Sequence, residues 1–524
     1  MKSPSSPDQE ARSSSKRDWE GLGQRWWTHI QFLADDSLEG RDTGSPGLDK
    51  AADYMERQFR AVGLEPAGVD GYRQRMEFDV TRVDERRCSV ELVRNGVSEP
   101  VILGEDAVLF VGSGMAENVD GEAVFVGYGL NIPEADYNDF AGLDLRGKVA
   151  VYFMGGPPEI PSAVKAHYQS LDERRKTFGK AGAIGTAAIQ NPKAIELPWS
   201  RIAASRFQPR MELRDPGYDV PPPIPFGIGF NVERAGKLFK GTEHDFADLL
   251  TKLREGQPLP HFPLGLRFRA KVGTVGSRVT SQNVVGMWPG SDPELRKECV
   301  VLSAHLDHVG IGEPINGDRI YSGAMDNASG CASLIEVARA LRDSGARPRR
   351  SVMFLAVTGE EKGLLGSQYY ANHPTIAGPF VANLNMDMFN PLFPLKHLEV
   401  QGLGESSLGE DIRAVASAAG IEVQPDQEPE HVLFIRSDQY SFIKRGVPAL
   451  AFKFSYLPGT PEEKLFKAWL TERYHAPLDD LNQPVDRAAA AQFNSLLEKL
   501  TLRVADSDRR PEWNADSFFR RFAR

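Results

Sequence analysis

Cysteine is scarce in this 524-residue chain, which holds only Cys88, Cys299 and Cys331. So few, and an odd number, exclude a disulfide framework, and without any C-x-x-C pair a zinc–thiolate site is excluded too. Cys299 and Cys331 lie in apolar runs and read as small core residues. No apolar stretch approaches the roughly 18 residues that a membrane-spanning helix needs. No lysine–arginine stripe offsets the formal net charge of −10, so neither nucleic acid nor a membrane is expected as a partner. The opening MKSPSSPDQEARSSSKRDWEG is polar and has no apolar middle of the kind a signal peptide carries. As it stands the chain reads as cytoplasmic, with residues 1–17 as a disordered tail. A start placed downstream of a true signal would make it exported or periplasmic instead. No segment repeats at a fixed period.

What is present describes a globular protein: 41% hydrophobic residues, 26% charged, and 36 prolines. The length exceeds what one core supports, so two or three domains are expected. Residues 18–62 read as helical, closing at Gly63, and short alternating runs such as CSVELV mark strands between 76 and 106. Short apolar runs separated by glycine and proline fill 107–262 and suggest a small β-rich module with its own core. From 263 to 510 the pattern becomes alternating apolar strands and amphipathic helices, which predicts an α/β domain with a mixed, mostly parallel sheet flanked by helices. Residues 18–106 are the first segment of that domain, and 511–524 form a carboxyl-terminal tail.

Ionisable residues gather where apolar strands give way to polar loops, the place where α/β enzymes present chemistry. In AHLDHVG, His305 and Asp307 are two apart and project to one side of an extended chain, with Asp307 either orienting His305 or acting as a second ligand. His308 points the other way and reads as a loop residue. In GAMDNASG, Asp326 precedes a helix beginning near Ser329, where a capping role competes with ligation. Glu360 and Glu361 stand together after the strand SVMFLAV, either as a solvated turn or beside a metal. Asp387 sits within the apolar NLNMDMF, where an unpaired carboxylate costs several kcal/mol. His475, in ERYHAPLDDL, follows an amphipathic stretch. Singly each is ambiguous. Jointly they offer two histidines and three carboxylates as direct ligands, with a Glu and an Asp to spare, which is the inventory for two zinc ions sharing one carboxylate.

The order H-x-D, D-N-x-S-G, E-E, a strand Asp and Y-H resembles metallopeptidase family twenty-eight, the two-zinc aminopeptidases. Successive ligand positions stand 21, 35, 26 and 88 residues apart, spacings typical of that family. LADDSLEGRDTGSPG and FIRSDQYSFIKRGVPAL resemble it too, and 107–262, with YNDFAGLDLRGKVAV, resembles the protease-associated (PA) domain inserted in many members. The resemblance implies that His305 and Asp387 bind one zinc, Glu361 and His475 the other, and Asp326 both. It further implies that Asp307 orients His305, that Glu360 is the general base, and that Tyr474 donates to the oxyanion. Two zinc ions per chain and a peptide with a free amino terminus are thus the expected cofactors and substrate. One departure stands out: Ser437-Asp438-Gln439 replaces the S-D-H of many members, in a segment that shapes the substrate pocket.

Other families compete with this reading. Metallopeptidase family twenty, with its carboxypeptidases and deacylases, uses the same ligand order but places its extra domain between the fourth ligand and the final His. Glutaminyl cyclases share the motifs with a single zinc. Receptor-like relatives keep the fold but lose ligands, whereas every ligand position is filled here.

Overall fold

The computed structural model describes residues 17–523 apart from 113, 196, 216 and 218–220. The expected tail at 1–17 therefore lies, but for its last residue, outside the described residues. Two sheets organise the chain. The larger has ten strands, nine of which run in the order Arg210–Leu213, Arg73–Val83, Thr274–Trp288, Ser351–Val357, Cys299–His305, Phe380–Asn385, Ala449–Ser455, His397–Gln401 and Glu422–Gln424. Its centre is parallel: Cys299–His305 pairs in parallel with both Ser351–Val357 and Phe380–Asn385, and the latter with Ala449–Ser455. Flanking pairs are antiparallel on one side, from Thr274–Trp288 outward. The central strands are buried along their whole length, as their unbroken apolar runs require.

Helices cover the sheet. Trp19–Leu33 and the closing helix Arg487–Asp506 pack on each other, so the first and last α-helices among the described residues share one core with Pro46–Val62 and Ser329–Asp343. Trp26 fills it, fully buried, with its indole N–H donating to Ser329 O and Ser333 Oγ, both at 3.1 Å. Phe389 stacks on Phe493 with ring centroids 4.4 Å apart, tying the closing helix to the loop after Phe380–Asn385.

The smaller sheet has eight strands, from Val97–Pro100 and Ser89–Arg94 through His261–Lys271, Asn118–Val126, Val149–Phe153, Gly185–Ile189 and Gly227–Phe230 to Ala107–Leu109. It has its own core, built around Phe125, Phe153, Phe226, Phe230 and Phe268. Its limits differ from the expected 107–262. Ser89–Arg94 and His261–Lys271 alternate buried and exposed residues and pair with each other, so both belong to this unit rather than to the larger sheet. Conversely, Arg210–Leu213 leaves the smaller unit and pairs with the edge of the larger sheet. The segment 511–523 is also no free tail. Trp513 Nε1 donates to Gly446 O at 2.9 Å, Phe519 is fully buried, and Arg521 pairs with Glu134 of the smaller unit.

Candidate metal centre

Parallel pairing brings three carboxyl-terminal strand ends side by side; His305 closes one of them, and the loops after the other two carry Glu360, Glu361 and Asp387. His305 is the last residue of its strand and is 1% exposed. Its Nε2 lies 3.1 Å from Asp387 Oδ1 and 3.2 Å from Asp326 Oδ1. Asp387 is not within a strand as expected; the strand ends at Asn385, and Asp387 stands two residues beyond. The buried polar groups inside that strand are instead Asn383 and Asn385, which Ser303 holds from the neighbouring strand.

A second cluster faces the first across Asp326. His475 Nε2 lies 3.3 Å from Asp326 Oδ2 and 3.2 Å from Glu361 Oε2. On the far side of Glu361, His308 Nδ1 sits 2.8 Å from Oε1. Reading His308 as turned away was wrong: strand alternation stops at His305, and the chain that follows is no longer extended, so parity no longer assigns sides. His308 is fully buried. The two groups His305–Asp326–Asp387 and His308–Asp326–Glu361 each bring one donor atom per residue within 4.8 Å, with Asp326 common to both.

Asp326 is held from behind rather than used as a cap. Asp479 accepts hydrogen bonds from the backbone N–H groups of Met325 and Asp326, both at 2.9 Å, and Gln483 Nε2 donates to it at 2.7 Å. Capping falls to Asn327, whose Oδ1 accepts from Gly330 N at 2.9 Å. The turn entering this segment needs Gly323: its φ is 63°, and a Cβ there would collide with Asp326 O and the His308 ring.

Asp307 acts differently from the expectation. His305 Nδ1 bonds the main-chain carbonyl of Asp307 at 3.0 Å, while the carboxylate is 3.9 Å from that nitrogen, too far for a hydrogen bond. The carboxylate instead accepts from Glu360 N at 3.1 Å and Glu361 N at 3.3 Å, so it shapes the Glu–Glu turn. Thr43 Oγ1 donates to it at 2.9 Å. Thr43 belongs to a clamp from the first segment. Fully buried Arg41 donates to the carbonyls of Leu33, Leu306, Ser322 and Gly323, and Asp42 pairs with Lys362 at 2.7 Å. Three adjacent residues thus grip the loops that carry Asp307 and His308, Asp326, and Glu360 and Glu361. Only long-range structure reveals this, although GRDT was part of the resemblance.

Charge is unbalanced here. Asp326, Glu360, Glu361 and Asp387 crowd around His305, His308 and His475. Burial drives the Glu360 carboxyl well above the usual range, with His305 opposing and Asp387 and Glu361 reinforcing. Burial likewise raises Asp438, beneath the site, to about 7, against the pull of His305. His475 rises to about 10, because Glu361 and Asp326 override the burial that disfavours its charged form. His305 is raised for the same reason, by Asp387 and Glu360. Left alone, His305 and His475 hold protons that offset the carboxylates; divalent cations would do so with those two imidazoles neutral. Zinc bonds of about 2.0–2.2 Å set tetrahedral ligand atoms roughly 3.3 Å apart, close to the donor spacings found here. The residues fit two such ions.

The cluster opens on a cavity of about 1080 Å³, lined by Glu360, Asp387, Tyr474 and His475 on one side and by Phe110, Met154 and Arg201 of the inserted segment on the other. Tyr474 stacks against His475 with ring centroids 4.2 Å apart. Gln439 is tied down instead of projecting freely: its Oε1 accepts from Asn385 at 2.8 Å and its Nε2 donates to Phe434 O at 3.1 Å.

Residues 283–501 match the model described as Peptidase family M28. Among curated proteins, aminopeptidase YwaD of Bacillus subtilis is 25% identical over 238 residues, 44% of this chain and 47% of its own length. Alignments to such curated relatives span about half or less of the relatives' lengths. The fold resembles that of an aminopeptidase from Aneurinibacillus sp. strain AM-1, with a TM-score of 0.54 at 21% identity over 95% of this chain and 96% of that one. It also resembles a zinc aminopeptidase from Bacillus subtilis, with a TM-score of 0.50 at 19% identity over 93% and 96%.

Proposed function

We propose that this chain, whose residues 283–501 match the model for peptidase family M28, is a zinc-dependent exopeptidase, an aminopeptidase that hydrolyses the amino-terminal peptide bond. The observation that carries the reading is that Asp326 lies between His305 with Asp387 on one side and His475 with Glu361 on the other, with Glu360 beside them on the cavity wall. His305 and Asp387 would hold one ion, Glu361 and His475 the other, and Asp326 both. His308 would steady Glu361 through the hydrogen bond to Oε1. Two zinc ions bound there would polarise the scissile carbonyl and acidify the attacking water.

The chain's own residues do the rest. Glu360, its backbone pinned by Asp307, accepts a proton from the attacking water and returns it to the leaving amine. Tyr474, lining the same cavity, donates to the developing oxyanion. Asp307 fixes His305 through its main-chain carbonyl and Glu360 through its carboxylate. The surplus of carboxylates favours a substrate ammonium next to the scissile bond, which limits cleavage to the first residue. The eight-stranded unit would serve as a protease-associated insertion walling the cavity, a role supported by Phe110, Met154 and Arg201 in its lining.

Zinc analysis of purified protein, with aminoacyl chromogenic amides compared against carboxyl-terminal and N-acyl substrates, tests the reading. About two zinc per chain and cleavage of the amides alone are expected. A protein that takes up no zinc would be a scaffold, and preference for N-acyl or carboxyl-terminal substrates would redirect it to deacylase or carboxypeptidase chemistry. Glu360→Gln should keep its zinc and lose turnover by about 10²–10⁴-fold; near-normal kcat would remove Glu360 from the proton-transfer role.

A further inference from the structure

We propose that Arg201 is a positioning residue through which the inserted segment holds the loop bearing His475; the proposal rests on His475 being a metal ligand, as read above. Arg201 lies on the helix Trp199–Ser205, between the strand Gly185–Ile189 of the smaller sheet and the strand Arg210–Leu213 of the larger. Its Nη1 donates to Tyr474 O at 2.5 Å. Its Nη2 donates to Thr471 O at 3.0 Å and Glu472 O at 3.5 Å.

Those carbonyls end the helix Pro461–Glu472, whose last turn has no basic residue of its own. A helix end exposes unpaired carbonyls and the negative end of its dipole, so a planar cationic fork supplied from elsewhere is a well-matched partner. Among the described residues no carboxylate pairs with Arg201, so the carbonyls take its charge-assisted bonds.

The site of attachment matters. His475 has φ of 50°, in the left-handed region, where a residue with a side chain is strained unless its surroundings hold it. Arg201 grips the carbonyl of the residue immediately before it. His305 needs no such aid, because it ends a fully buried strand paired on both sides. The inserted segment therefore does more than wall the cavity: through Arg201 it sets the backbone from which one imidazole projects.

Arg201→Ala and Arg201→Lys test this in the full-length protein by two readouts. Amide exchange is first followed across 473–476 with zinc stripped by a chelator. Arg201→Ala should speed exchange there by about tenfold or more, as loss of a charged hydrogen bond implies, and leave the strand end at His305 unchanged. Zinc affinity is then measured by competition with a chelator. One equivalent should weaken roughly 10–100-fold, as for other groups that orient ligands, while the second holds; Arg201→Lys should fall between, and kcat should drop with little change in KM. Unchanged exchange and zinc binding would overturn the proposal, as would a rise in KM alone, which would make Arg201 a substrate contact. Should Arg201→Ala fail to fold, Arg201→Lys carries the same comparison. If the wild type binds no zinc, the metal reading fails while the exchange measurement still decides the role of Arg201.

Discussion

The two halves of the centre are built by different means. His305 sits at the end of a central strand, 1% exposed, with Nδ1 bonded to the next loop's main chain. Its partner Asp387 stands two residues past the end of a neighbouring strand paired in parallel, so backbone pairing sets that spacing. His475 lies in a turn after a surface helix, its side chain 28% exposed and its backbone left-handed. It depends on distant help from Arg201, which bonds the carbonyl of the residue before it. One half is set by secondary structure and the other by side chains brought from afar. The strand half should therefore couple to stability, and the loop half to metal occupancy with the fold intact.

His305→Ala probes that division most severely. It removes a ligand and leaves Asp326 and Asp387 buried without their partner, so it should abolish turnover, lower zinc binding and destabilise the protein by about 3–5 kcal/mol, read by denaturant unfolding. Arg41→Met takes the buried donor from the carbonyls of Leu33, Leu306 and Ser322, while Gly323 O keeps the N–H of Ala328; at about 1–3 kcal/mol for each of the three, an unfolding free energy lower by ~3 kcal/mol or more is expected. Equal loss of stability from His475→Ala would erase the distinction. That variant should instead melt within a few degrees of wild type, retain close to one zinc per chain and lose most activity. His308→Ser is the mildest change: only the weaker zinc equivalent should loosen, by about tenfold in chelator competition, because the residue acts on Glu361 without being required by the sheet.

The same division explains what the sequence disclosed. Strand–helix alternation after residue 275 announced the larger sheet, and ligand-type residues at the strand ends announced the cluster, because both follow from local periodicity. Parity within extended chain failed just past His305, where the strand stops, and so His308 was misjudged. Asp307 was linked to His305, but its carboxylate serves the Glu360–Glu361 turn, a contact made across 53 residues. Arg41, Thr43, Arg201 and Asp479 left no periodic trace, since each acts on main-chain or side-chain groups far away in sequence. The limits of the smaller unit were misplaced for a related reason. Ser89–Arg94 reads as a strand wherever it is put, and only its pairing with His261–Lys271 shows which sheet owns it.

The packing of Trp19–Leu33 against Arg487–Asp506 has a consequence for biosynthesis. A nascent polypeptide threaded this way can finish the eight-stranded unit once residue 271 has left the ribosome, yet Trp19–Leu33 must wait for a mate that follows it far later in the sequence. Hydrolytic competence should consequently appear only once Arg487–Asp506 has been made, and a product truncated before that helix should be inert rather than partly active.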